Sequence, residues 1–231
     1  MLVDAITRIM EEKKTVKFKK DEFAIKEYIK KEVGKGKISK VKIEYTPIGE
    51  KIIVSTNKPG MVIGRGGEKI NELTSVLKSR FKLENPQIEI DEIQNQDLDA
   101  QIVADEIAMA LERMGPLKFK VIAYKALQRI MHAGALGCEI RLGGKLPSAR
   151  AKQWLFTQGY LKKTGDSAKV VDRAKSIAQT KPGIVGIKVA ILNPNAKLND
   201  KIVADETMFQ QLKINSEMPD IDTKKKAKKK K

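Results

Sequence analysis

One break in hydrophobic periodicity constrains this 231-residue chain more than any other feature. Ile70, Leu73, Leu77 and Phe81 recur at helical spacing, and Pro59-Gly60-Met61-Val62-Ile63 upstream starts a helical segment of its own. Between the two stands Gly64-Arg65-Gly66-Gly67. Each glycine inside a helix costs roughly 1 kcal/mol relative to alanine, so the chain is predicted to stop, turn and restart there. The restart leaves unpaired N–H groups at a helix N-terminus, where an anion is stabilised.

The flanking segments give this turn its setting. Ile25, Tyr28, Ile29 and Val33 mark an amphipathic helix over 21–33 that Gly34 ends. Val41, Ile43 and Tyr45 alternate with Lys42 and Glu44 over 40–46, and Ile52-Ile53-Val54 follows the turn Pro47-Ile48-Gly49, so the two runs form a hairpin. Ile88 and Ile90 beyond Pro86 supply a third strand. The expected unit is αββααβ, a three-stranded sheet with helices on one face.

Beyond residue 96 a second layered unit is expected. Leu98, Ile102, Val103, Ala110, Leu111 and Met114 put a helix over 97–114, and Val121, Ile122, Leu127 and Ile130 another over 117–133, with Gly115-Pro116 between them. Strands are read over Cys138–Leu142, Ala151–Leu161 and Gly186–Leu192, and a short one over Lys169–Val171 leading into a helix to about Thr180. The fold class is α+β, with parts at 1–95, 96–196 and 197–231. Gly134-Ala135-Leu136-Gly137 and Gly183-Ile184-Val185-Gly186 repeat the glycine spacing but lead into strands, so they are read as a helix cap and a turn.

Charge then narrows the function. The chain has 46 Lys and Arg against 29 Asp and Glu, a net of +17 and a pI near 9.7, which points to a polyanion such as nucleic acid. The net charge is +5 over 1–95, +8 over 96–196 and +4 over 197–231. Residues 113–163 hold eleven basic side chains and one acid, Glu139. From Lys224 onward, seven lysines in eight residues predict a disordered tail, either an RNA-binding arm or a solvated extension; 197–223 is read as an extension with one short helix.

The same inventory excludes several classes. A single cysteine, Cys138, allows no internal disulfide, and a single histidine, His132, leaves no Cys/His zinc set. No apolar run reaches the roughly 18 residues of a spanning helix, and the first residues predict no secretion signal. No Gly-Lys-Ser/Thr ends a nucleotide-triphosphate loop, and the third glycine of a dinucleotide fingerprint is missing. No catalytic residue, metal or cofactor is expected.

Val62-Ile63-Gly64-Arg65-Gly66-Gly67-Glu68-Lys69-Ile70 resembles the glycine-loop signature of a type II KH domain, a single-stranded nucleic-acid module. That resemblance assigns RNA contact to Gly64, Arg65, Gly66, Gly67 and Lys69. The run from Gly134 to Lys152 resembles the C-terminal domain of the universal third protein of the small ribosomal subunit, in its archaeal and eukaryotic branch. Pro182 to Val189 looks like that family's closing strand, and the resemblance covers roughly residues 1–195. It implies a place in the small-subunit head, contact with ribosomal RNA, messenger RNA and neighbouring head proteins, a cytoplasmic location and no membrane.

By the same resemblance Lys145, Arg150 and Lys152 contact RNA backbone. Lys120, Lys125, Arg129 and Arg141 complete the candidates, Lys125 and Arg129 standing one helical turn apart with a shared RNA face or a solvated face as the alternatives. Where bacterial members carry a basic pair associated with unwinding messenger structure, this chain has Lys120 and Val121. Two other readings stay open at this point: a free KH-domain regulator, and a nuclease or lyase acting on damaged DNA. His132 is read as a helix-terminal side chain, Cys138 as buried, and Trp154, Phe156 and Tyr160 as core rather than base-stacking platforms.

Overall fold

The computed structural model describes residues 2–148 and 150–198, with side chains from residue 12 onward. The expected short helix of 197–223 and the lysine tail lie outside the described residues, 197 and 198 apart. Helix α1 spans Leu2–Val33, followed by strands β1 (Ile38–Thr46) and β2 (Gly49–Thr56), helices α2 (Pro59–Ile63) and α3 (Glu68–Phe81), and β3 (Gln87–Glu92). Helices α4 (Ala100–Met114) and α5 (Phe119–His132) then precede β4 (Gly137–Gly144), β5 (Lys152–Gly159), β6 (Asp172–Thr180) and β7 (Gly183–Leu192).

The first sheet has the order β1-β2-β3, antiparallel then parallel. Its register aligns Ile43-Ile52-Ile88 and Val41-Val54-Ile90 into two apolar rows. Ile25, Ile29 and Val33 of α1, Val62 of α2 and Leu73 and Leu77 of α3 close over those rows, and Ile29, Ile52 and Leu77 are fully buried. Each such side chain contributes about 1.5–3 kcal/mol. Helix α1 begins some twenty residues before the expected start. The segment before Asp21 has no apolar period, but its lysines and glutamates favour a helix, and Glu22 takes Lys19 and Lys26 at helical spacing. Tyr45 shares the parity of the buried row yet is exposed, meeting Phe18 of α1 at 4.7 Å.

The second sheet is antiparallel with the order β5-β4-β7-β6. One face carries Cys138, Ile140 and Leu142, Val185 to Ile191 at alternate positions, and Trp154 and Phe156, packed under α4 and α5. Tyr160 is exposed, unlike the other two aromatics of its run. The helix expected to run to Thr180 is absent. One 3-10 turn at Asp166–Lys169 precedes β6, in which Ala174, Ser176 and Ala178 face inward between exposed Arg173, Lys175 and Gln179. Small residues with good helix propensity form this strand because β7 offers a complete ladder and α4 lies close above it.

Both of the other glycine tetrapeptides are architectural. Gly134 has φ +92° just past α5 and donates its N–H to Met131, and Gly137 faces Gly159 where any Cβ would strike the Tyr160 backbone. Gly183 closes the two-residue hairpin after Lys181-Pro182.

The first sheet unit meets α4 and β6 chiefly through polar groups. Asp99 caps α4 by accepting from the N–H groups of Gln101 and Ile102, and its other oxygen accepts the hydroxyl of Ser39 in β1. Asp105 accepts from the Gly36 N–H at 3.1 Å, and Asp172 pairs with Lys40 at 3.1 Å. Gly36 has φ +77°, a left-handed backbone that favours glycine, and lies against the Met109 side chain. Replacing Asp99 with Ala removes a helix cap and a buried hydroxyl's partner together. Urea unfolding is expected to show a loss of about 1–2 kcal/mol with an unchanged denaturant slope, whereas Asp97→Ala costs less than about 0.5 kcal/mol.

Candidate nucleic-acid interface

Pro59 opens α2 at its first position, and Thr56 fixes the approach by donating to Lys37 O and accepting from the Lys58 N–H. The chain then passes through Gly64 (φ +76°), Gly66 (φ +60°) and Gly67 (φ +81°), all left-handed. At Gly64 a Cβ would also come within 2.9 Å of the Lys69 side chain, whereas at Gly66 and Gly67 it would meet nothing. Gly64 is therefore required by both backbone and packing, the other two by backbone alone.

Gly67 precedes α3 without a side-chain cap, and although the Glu68 N–H is donated to Arg65 O, the helix start lies beside glycines at 66 and 67 that carry no side chain. Arg65 and Lys69 are exposed at its edge, as is Lys58, a cation that the glycine motif does not include and the sequence reading passed over.

The second cluster lies on the β4–β5 connection. Leu146 is fully buried and pins this loop, leaving Lys145, Arg150 and Lys152 exposed around it with no carboxylate partner among the described residues. On α5 the cations divide between two faces. Lys125 and Arg129 share the α4–α5 groove with Arg113 and Lys118, while Lys120 lies over the ring of Trp154 at 5.0 Å. Val121, at the position after Lys120, is exposed.

Two candidates are engaged inside the fold. Arg129 makes a two-pronged pair with Glu106 at 2.8 and 2.7 Å, with Asp97 at 3.9 Å; the hydrogen bond to Glu106 raises the guanidinium pKa further. Arg141 bonds Glu139, which also takes Lys163 at 2.7 Å. Burial works to raise the Glu139 carboxyl, but the bonds from Lys163 and Arg141 prevail and hold it below the usual carboxylate range, so it is charged at neutral pH.

Each of the eight acidic side chains of residues 96–196 has a hydrogen bond or a cation within 4 Å, the Asp97 pair being the loosest and the Asp166 pair the most exposed. Asp97, Glu106 and Glu139 hold the arginines just described; Asp99 and Asp105 accept backbone N–H groups; Asp172 takes Lys40, Glu112 takes Lys35 and the Gln179 N–H, and Asp166 takes Lys169. Arg113, Lys118, Lys125, Lys145, Arg150, Lys152, Lys175 and Lys188 are left without a carboxylate among the described residues.

No grouping of His, Cys, Asp and Glu suited to a metal occurs among the described residues, and no helix there is long and apolar enough to cross a membrane. His132 is an exposed last residue of α5. Cys138 is buried on β4, and burial pushes its thiol up to about 11.

Comparison with known proteins places both cores. Residues 24–98 match the KH domain family, and residues 107–191 match the family described as ribosomal protein S3, C-terminal domain. The chain is 45% identical to the small ribosomal subunit protein uS3 of Methanocaldococcus jannaschii over 79% of its own length and 87% of the relative's. It is 40% identical to that of Saccharolobus solfataricus, over 87% and 85%. The match to that of Haloarcula marismortui is 38%, over 86% of this chain and 64% of the relative. Two family matches in the order of the two cores, with identity of this level along most of the chain, mean that it belongs to the uS3 family of small ribosomal subunit proteins.

Proposed function

We propose that the chain is a structural, non-catalytic component of the small ribosomal subunit in the cytoplasm, seated in its head. There it binds ribosomal RNA, touches neighbouring head proteins and contributes to the entrance of the messenger RNA channel. The observation that carries this reading is the exposed cluster of Lys145, Arg150 and Lys152 on the β4–β5 connection, which has no carboxylate partner among the described residues. Such a surface neutralises phosphates and releases their counterions.

Residues 1–95 and 96–196 divide the work in this reading. In the first, backbone N–H groups at Arg65–Gly67 and the side chains of Arg65 and Lys69 approach single-stranded RNA, where the glycines leave room for the sugar-phosphate. In the second, Lys145, Arg150 and Lys152 meet ribosomal RNA backbone, and Lys120 and Lys125 extend the contact along α5. Arg129, paired with Glu106, acts through the side chains it positions, and Arg141 meets RNA directly beside Glu139. Phosphate contacts of this kind fix position rather than read sequence.

Sedimentation of the tagged chain from a cell extract through a salt-containing gradient tests the assembly. Stoichiometric travel with small-subunit RNA is expected, and a chain that stays at the top as free protein overturns the reading. Substituting Arg65→Asp and Gly66→Asp together should weaken single-stranded RNA binding while the protein still folds, at a cost of about 1 kcal/mol in stability, since both positions are exposed and Asp is among the few residues that visit the left-handed backbone. Unaltered affinity would remove the glycine loop from the interface. Replacing Lys145, Arg150 and Lys152 together with Ala is expected to lower the log–log salt slope of single-stranded RNA binding by about 2. An unchanged slope would mean that these side chains do not meet phosphate.

A further inference from the structure

The helices cover one face of the second sheet, and on the other face the strand register assembles an unusual row. Arg141 of β4 stands directly opposite Lys188 of β7, and Lys188 directly opposite Lys175 of β6, so three cations occupy one rung across three adjacent strands. Directly opposed side chains on antiparallel strands have Cβ atoms about 4.5–5.5 Å apart, and like charges at that spacing destabilise the sheet. The neighbouring rung adds Arg173 beside Ala190 and Glu139. Glu139, whose two oxygens are held by Arg141 and Lys163, is the one acid on these two rungs. Lys175 and Lys188 make no hydrogen bond or ion pair among the described residues.

The surroundings of the row suit a large anion. On its other side the register pairs Gly143 with Gly186, and a Cβ at Gly143 would meet nothing, so bare backbone borders the charges. Leu161 and Lys163 overhang the row and make it one wall of a concavity of about 280 Å³. With roughly 30 Å³ as the share of one water-sized molecule, that is more room than a lone small anion fills.

We infer that the open face of the second sheet is an additional RNA-binding surface, in which Arg141, Arg173, Lys175 and Lys188 hold the phosphodiester backbone of a folded RNA. This rests on the reading of the chain as an RNA-binding ribosomal component, and it adds residues from β6 and β7 that neither the glycine loop nor the β4–β5 connection includes. The row offers several cations within one or two strand spacings and no aromatic side chain on its rungs. It thus fits closely spaced phosphates rather than stacked bases. An acidic protein segment is the competing occupant. It fits less well because its carboxylates lie at the ends of side chains that must be ordered one by one, whereas each phosphodiester carries its charge on the backbone itself.

The test uses the full chain with Lys175→Gln and Lys188→Gln together, beside the Lys145, Arg150 and Lys152 alanine variant, and an RNA hairpin as probe. The sheet variant is expected to lower the salt slope of hairpin binding by about 2, additively with the loop variant. It should unfold at the wild-type midpoint or above, because repulsion is relieved. A wild-type slope in the sheet variant, with a reduced slope in the loop variant, would overturn the sheet site and leave the RNA-binding reading standing. A lowered midpoint would overturn the premise of a repulsive row. Oligoglutamate titrated in parallel is expected to lose less affinity than the hairpin; an equal or larger loss would replace RNA with an acidic protein partner.

Discussion

The carboxylates between Asp97 and Asp172 are the constraint on which the second half of the molecule depends. Each has a bond to make within the fold: a helix cap at Asp99, a loop N–H at Asp105, a guanidinium at Glu106, two cations at Glu139. An unpaired buried carboxylate would cost several kcal/mol, so Asp105 and Glu139, the two buried acids of this part, are held where their partners are. The surface charge available to an anionic partner is set by the internal hydrogen bonding of the fold as much as by composition.

The glycine loop of the first unit works from the opposite direction. There the surface is made by leaving atoms out: three left-handed glycines and a helix start without a side-chain cap expose the backbone. The second unit presents long cationic side chains on a rigid sheet and hairpin. In the function proposed above, one surface recognises a strand by close approach and the other neutralises backbone charge, a division that suits a molecule contacting RNA in more than one conformation.

Much of this was legible in the sequence because it is local. The broken helix at Gly64–Gly67, the hairpin turn at Pro47-Ile48, the helices around Ile102 and Ile122 and the strand from Cys138 all have signatures within a few residues. What escaped depends on distant partners. Strand β6 reads as helix because Ala174, Ser176 and Ala178 are small and Lys175 and Gln179 favour helices, and only the ladder with β7 decides otherwise. Arg129 and Arg141 read as free cations because Glu106 is 23 residues from one, and the burial of Glu139 beside the other emerges only from the packed sheet. The rung of Arg141, Lys188 and Lys175 joins residues scattered over three strands, and no period in the sequence aligns them.

The seam between the two sheet units has a consequence for how such a chain is made. Its bonds are mostly polar and directional, from Ser39, Gly36 and Lys40 to Asp99, Asp105 and Asp172, while the two apolar cores stay separate. Neither core waits for the other's side chains to complete its burial. During synthesis the first unit can therefore close as soon as β3 has emerged, well before β7 exists to finish the second sheet. The carboxylates of α4 then meet an already formed surface, so the late step of folding sets an orientation rather than building a core.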